Sequence, residues 1–409
     1  MATVDYRFFA NVPNVPSVTM LEIAISLALL FSLVFLLTRQ ELSQRAYHVI
    51  RSNPMVFGYL GWITLGALIN LAWSTVPAAT LKDLLPGFVL FFFVALTVRR
   101  SDDAQKVLVV YLLGAVLQIL LGASQILNGW PRPVALTENA VYKTDIGGLA
   151  VDVGYIPTGL FSHPNGLALF LLPVILLLLS QISQARLTLY KRLGLVALFA
   201  LSLFVVWHTQ SKGALAWLVI GTIVFVLPRA LKRWHSRLGW AALVGGILTI
   251  MLLSVWINQE LGKLGTVVSR IQLNEAALAL LKDKPLVSAI GGGSESMYSY
   301  SSQYSNMEYP SSHNTYLDQA LLFGIPGLVL YIGIAATALR RATAVAREAS
   351  DHTWRIIGRF LHAAIVAQLG MFYFEPALAG QYQSTFFLFS AIAATMQVSR
   401  RIIPREGAV

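Results

Sequence analysis

Residues 311–333 read SSHNTYLDQALLFGIPGLVLYIG. A histidine and an asparagine stand directly before an apolar run long enough to cross a bilayer, whose hydrocarbon core takes about 20 helical residues to span. In lipid every backbone N–H and C=O must be satisfied within its own segment, so such a run has to be a helix. The same pattern recurs along the chain. Apolar spans are predicted at 17–38, 54–74, 80–98, 106–128, 158–183, 193–209, 212–228, 239–257, 315–337, 360–374 and 382–398. Composition agrees: 56% of the 409 residues are hydrophobic and 12% are charged, against about 25% charged in a soluble domain. The expected fold class is an all-α polytopic integral membrane protein, with residues 1–409 as a single transmembrane domain. No small-residue cleavage site follows the first apolar run, so no cleavable signal is expected. Cysteine is absent, which excludes disulfides, a thiolate nucleophile and a zinc–cysteine site.

The formal charge of +11 does not point to nucleic acid. The Lys and Arg residues sit between apolar runs, where they set topology and touch anionic lipid heads. Of the 30, 21 fall in 39–53, 99–106, 184–192, 229–237, 338–359 and the tail from 399. The other nine are Arg7, Lys82, Arg132, Lys143, Lys212, Lys263, Arg270, Lys282 and Lys284, on the opposite side or at its border. This bias predicts a cytoplasmic C-terminus and, with an odd span count, an N-terminus outside. Two outer segments are long, 129–157 and a larger one at 258–314. The larger contains RIQLNEAALALLKDKP, whose apolar spacing suits a short helix lying in the interface. An irregular Gly-, Ser- and Tyr-rich loop follows it. The Tyr and Glu side chains of that loop either meet sugars or are simply solvated.

Outer cations run against the topological bias and therefore draw notice. Lys212, in WHTQSKGALAWL, lies in a turn so tight that two spans share it. It is either a snorkelling anchor or a cation facing the bundle and awaiting an anion. Arg270 is either a solvated loop arginine or a bidentate phosphate clamp. His313 is either a packed or capping residue or a base that takes a proton from a hydroxyl. Asp145, Asp152, Glu275, Glu295, Glu308, Asp318 and Glu375 are scattered. No DxD, HExxH, P-loop or GxGxxG pattern appears, so no metal and no cofactor is expected.

In residues 313–327, His313 and Asn314 are followed by nine residues, Gly324, two residues and Gly327. This resembles the signature of the O-antigen ligase and polymerase superfamily. SRIQLNEAALALLKDKPLVSAIGGG (269–293) resembles its Arg-containing segment. TQSKGALAW (209–217) resembles its Ser-Arg-Gly element, with Lys212 where Arg is commoner, and FSHPNGLALFLLP (161–173) its Asn-Gly element. The resemblance commonly brings twelve spans, hence about 11–12 helices. It implies a glycosyltransferase in the inner membrane, acting on the periplasmic side without metal or cofactor. The glycan would pass from undecaprenyl diphosphate to the lipid A–core oligosaccharide, making donor, acceptor and membrane lipids its partners. It implies His313 as the base and Arg270 and Lys212 as holders of the diphosphate. Asn314, Tyr316, Glu375, His163 and Asn165 would contact sugar or orient other groups. The alternatives are a polymerase joining lipid-linked repeat units and a lipid or polysaccharide transporter. A transporter needs ionisable residues along the bundle interior, and mid-span charges are sparse here.

Overall fold

A computed structural model describes residues 7–8, 18–19, 38, 40–70, 76–129, 141–146, 149–161, 163–184, 187–230, 265–292, 311–375 and 380–402. A short pair, β1 (Arg7–Phe8) and β2 (Val18–Thr19), precedes the helices. In order these begin with α1 (Gln40–Ser52), α2 (Pro54–Asn70), α3 (Val76–Thr97) and α4 (Ser101–Asn128). The strands β3 (Val141–Ile146) and β4 (Leu149–Tyr155) intervene. Next come α5 (Pro164–Ile182), α6 (Leu189–His208), α7 (Lys212–Ala230), α8 (Gly265–Asp283) and α9 (Pro285–Ile290). The chain closes with α10 (Thr315–Glu348), α11 (His352–Phe372) and α12 (Gly380–Ile402).

Nine of the eleven predicted spans fall on these helices; that at 239–257 lies outside the described residues, and of that at 17–38 only Val18 and Thr19, in β2, and Thr38 are described. Among the described residues, α4, α5, α6, α10 and α11 are long and apolar enough to cross a membrane. Pro54–Asn70, Asp83–Thr97, Lys212–Val226 and Gln383–Thr395 are shorter apolar stretches. The protein is a multi-pass membrane protein. The helix expected in the larger outer segment is α8. Two segments differ from expectation. The basic segment 39–53, read as a loop, is the helix α1, because Ala46 and Val49, three residues apart, both find buried positions. The segment 129–157 carries the antiparallel β3–β4 hairpin. Gly147 and Gly148 separate the two strands in sequence, a pair that two-residue hairpin connections favour.

The chain divides into two compact units, 1–100 with 263–341 and 372–409, and 101–262 with 342–371. In the first, an aromatic core joins Tyr59 of α2, Phe88 of α3, Phe323 and Tyr331 of α10, and Phe386 and Phe387 of α12. Two buried phenols are bonded there, Tyr59 Oη to Gln319 Oε1 at 2.5 Å and Tyr331 Oη to Gln383 Oε1 at 3.2 Å. A polar group left unbonded in such surroundings is costly. In the second unit α5 is apolar all round and buried along most of its length, as a central helix should be. Gln125 of α4, fully buried, accepts from the N–H groups of Thr158 and Gly159 and donates to the Gly159 carbonyl. That fixes the strand of chain leading into α5.

The long helix α10 is broken once, at Gly324, where φ is 72° and ψ 173°. Gly291, at φ 80°, stands against the same break. A Cβ on Gly324 would lie 2.6 Å from the Ala289 carbonyl oxygen, and one on Gly291 would strike the Leu322 carbonyl. Only glycine allows both backbone conformations and the close approach. The break frees carbonyls that then need donors. Leu321 O accepts from Gly292 N at 3.0 Å, and Phe323 O accepts from Trp62 Nε1 at 2.7 Å. The segment after α9 is thus bonded into the notch of α10.

Candidate active site

The docking of α8 and α9 on α10 is apolar. Leu273, Ala276, Ala277 and Leu280 of α8 are buried together with Leu321 of α10, and Leu281, Val287 and Leu317 pack around them. These α8 positions recur at three- and four-residue intervals, one face of a helix. Arg270 precedes Leu273 by three residues, so it continues the same face toward the start of α10.

There it meets Glu375. Arg270 Nη2 donates to Glu375 Oε1 at 2.9 Å. The carboxylate is largely buried, with 10% of its side chain exposed, whereas 31% of the Arg270 side chain meets solvent. The backbone of Glu375 then reaches α10: Thr315 Oγ1 donates to the Glu375 carbonyl at 2.6 Å. Thr315 adjoins Asn314 and His313. Arg270 and Glu375, 105 residues apart in sequence, therefore meet beside the N-terminus of α10, which His313 and Asn314 directly precede. Tyr316, one residue on, is half-buried, its ring 6.4 Å from that of Tyr331.

Asn314 caps the helix. Its Oδ1 accepts from the N–H of Tyr316 at 3.0 Å and of Leu317 at 3.4 Å, which satisfies amides that a helix start leaves without partners. Residues 311–313 before it form a turn tied to Asp318. One carboxylate oxygen accepts from Ser312 N and Ser312 Oγ, each at 2.8 Å, and the other from Ser311 Oγ at 2.7 Å. Ser311 Oγ in turn accepts from His313 N at 3.0 Å. His313 itself has φ 56°, the left-handed region, which costs a side-chain-bearing residue about 1–2 kcal/mol. Strain of this kind persists only where surrounding bonds impose it, and it gathers at functional sites. Here Asp318 and the two serines supply those bonds. In the sequence Asp318 is one of several scattered acids. The available signal was its place in the first turn of a membrane helix, where a carboxylate needs partners.

The remaining predicted residues belong to the second unit. His163 is exposed and caps α5, its Nδ1 accepting from Asn165 N at 3.2 Å. Asn165 lies in the first turn. Lys212 is exposed at the first residue of α7, after a turn in which Gln210 has φ 58°. Three residues separate α6 from α7, as the shared tight turn required. Among the described residues, no three His, Asp or Glu side chains gather as metal ligands would.

Comparison with known proteins adds two findings. A relative, the teichuronic acid biosynthesis protein TuaE of Bacillus subtilis (strain 168), is 23% identical over 214 residues, 51% of this chain and 42% of the relative. The match thus spans less than half the length of that protein. The O-antigen ligase family model matches residues 197–332, which run from α6 through Lys212, Arg270 and the His313 turn to the middle of α10. Over that segment, which builds most of this site and is a third of the chain, the protein is similar to the O-antigen ligase family.

Proposed function

We propose that this protein transfers a glycan from undecaprenyl diphosphate to the lipid A–core oligosaccharide, at the periplasmic face of the inner membrane. The observation that carries the reading is the chain of contacts from Arg270 through Glu375 to Thr315, two residues on from His313. It holds a phosphate-binding side chain and a base at one helix mouth. A diphosphate head and an acceptor sugar are both confined to the membrane surface, because neither lipid tail nor charged head leaves its own phase. A base at the mouth of α10 meets the acceptor hydroxyl, whereas one in mid-bilayer would not.

The reaction then needs three events. The acceptor oxygen attacks the anomeric carbon and the bond from that carbon to the phosphate oxygen breaks. The hydroxyl proton passes to the His313 imidazole, help that is typically worth ~10²–10⁴-fold. Undecaprenyl diphosphate leaves with the bonding pair, and Arg270 neutralises the charge that develops. Glu375 holds the guanidinium from one side, and its exposed side faces the donor. Lys212 adds a second cation at a helix N-terminus, where an anion is favoured. Asn314 orients His313 through the cap, while Tyr316, His163 and Asn165 are assigned to sugar contact or orientation. The transfer takes no metal and no cofactor, and the C-terminus faces the cytoplasm.

One observation favours a second acceptor. The Bacillus relative is a protein of teichuronic acid biosynthesis, a glycan other than O-antigen, which suits a polymerase whose acceptor is another lipid-linked glycan. Purified protein in nanodiscs, given lipid-linked donor and either acceptor in chelator, tests both. Glycosylated lipid A–core supports the ligase, and lengthened lipid-linked glycan supports the polymerase. Neither product, or transfer by His313→Asn at the wild-type rate, defeats the proposal.

A further inference from the structure

At the far end of α10 lies a cavity of about 330 Å³, bounded by the α1–α2 junction, α3, α10 and α12. The two segments of α10 advance eight residues from Thr315 to Phe323 and fifteen from Ile325 to Arg340, about 12 and 23 Å at ~1.5 Å each. The cavity lies beside the second segment, and Arg340 belongs to the basic stretch 338–359 that the charge bias assigns to the cytoplasmic side, away from the His313 turn. Arg51, Arg340 and Arg341 line it and, among the described residues, no carboxylate does. Arg341 is buried and bonded to Asn53 Oδ1 and the Ser52 carbonyl, so its charge is fixed in place. Arg51 and Arg340 are exposed and extend the positive wall outward. Ser390 Oγ, on the cavity wall, is buried at 3% exposure without a hydrogen-bond partner. Buried hydroxyls are normally bonded, and an acceptor in the cavity would complete this one.

We propose that this cavity binds the phosphoryl headgroup of an anionic membrane lipid. Arginine forks suit phosphate oxygens, and Ser390 supplies a further donor at the inner end. The apolar rim chooses the lipid over a free ion. Met55 lines the cavity at 41% exposure, and Ile50 and Tyr47 are 44% and 59% exposed on the adjoining α1. A free phosphate has no use for that rim, whereas acyl chains would cover it. The basic loops assign this end to the cytoplasmic leaflet, where anionic lipids are abundant.

The test uses the full-length protein in neutral detergent, with native mass spectrometry and thermal melting as readouts. The probes are short-chain phosphatidylglycerol, phosphatidylcholine of the same chain length, and inorganic phosphate. Phosphatidylglycerol should bind and raise the melting temperature, and the other two should do neither. Arg51→Gln/Arg340→Gln, at two exposed positions, should melt like the wild type without lipid and bind phosphatidylglycerol at least tenfold more weakly. That is about 1.4 kcal/mol, the scale of losing charge-assisted bonds. Ser390→Leu, which fills the cavity, should have the same effect if it folds. Lys191→Gln/Arg192→Gln, an exposed pair at the start of α6, should leave binding unchanged. The proposal is overturned by unaltered affinity in Arg51→Gln/Arg340→Gln, by an equal loss in the α6 pair, or by equal protection from phosphatidylcholine or inorganic phosphate.

Discussion

Replacing Asp318 tests whether the left-handed turn at His313 is imposed or intrinsic. Asp318 accepts three hydrogen bonds at 2.7–2.8 Å, and all three hold Ser311 and Ser312. The conformation they impose, His313 at φ 56°, lies uphill by about 1–2 kcal/mol. A hydrogen bond to a charged group contributes about 1.5–3 kcal/mol net. Asp318→Asn keeps an oxygen for both Ser312 bonds and disrupts only the one to Ser311. Its loss of ~1.5 kcal/mol should reduce the held turn, and the transfer rate, about tenfold. Asp318→Ala removes all three. The burial cost of the carboxylate disappears with it, so the net loss is smaller than the sum. About 3 kcal/mol and a hundredfold rate loss are expected. Donor affinity should barely change in either variant, because α8 and Glu375 hold Arg270 independently. Initial transfer rates in nanodiscs give the first readout. Hydrogen exchange of the amides of residues 311–317 gives the second, and it should quicken in the order wild type, Asn, Ala. Transfer by Asp318→Ala within twofold of wild type, with unchanged exchange, would refute the reasoning.

His313→Asn should fold and insert normally, because asparagine tolerates the left-handed region. It should bind donor yet lose transfer by at least ~10²-fold, measured by rate and donor affinity together. Arg270→Ala should weaken donor binding by roughly 10–100-fold, one charge-assisted contact, and lower the melting temperature by stranding Glu375. Arg270→Lys should restore only part of the affinity, for want of the fork. Gly324→Ala should cost on the order of 3 kcal/mol in thermal melts, since it adds a Cβ 2.6 Å from the Ala289 oxygen at a positive φ. Lys212→Arg should retain most transfer, while Lys212→Met should lose it. Full activity in Lys212→Met would leave 212 as an anchor only.

Much of the fold was legible because its causes are local. A bilayer demands about 20 apolar residues per crossing and backbone bonds made within the segment, so α2 to α7 and α10 to α12 could be read from runs of Leu, Val, Phe and Ala. The α8 helix was legible from the spacing of Leu273, Ala277 and Leu280. Asn314 was visible as a residue of interest, and its cap is local too, reaching only two and three residues on. The segment 39–53 misled because its charge spoke for a loop. Only packing of Ala46 and Val49 makes it α1, and tertiary burial outweighs local polarity. The hairpin at 141–155 went unread because its short strands offer little periodic signal between two long spans.

The ordered motifs and the residue types at 212, 270 and 313 were written in the sequence alone. They suggest a chemistry, a base with two cations, and leave each residue with a bland alternative. Tertiary structure brings Arg270 against Glu375, whose carbonyl is bonded to Thr315, two residues after His313. The ion pair of Arg270 with Glu375, across 105 positions, depends on α8 docking on the apolar face of α10 at Leu321, next to the notch at Gly324 that the end of α9 enters. No local pattern encodes that docking, because the energy of the contact arises only when distant apolar faces are buried together. The strained backbone of His313 is likewise a property of the folded turn. The dihedral is unfavourable for the residue itself, and it exists because Asp318, Ser311 and Ser312 outweigh that preference once they are out of water, where their hydrogen bonds are stronger.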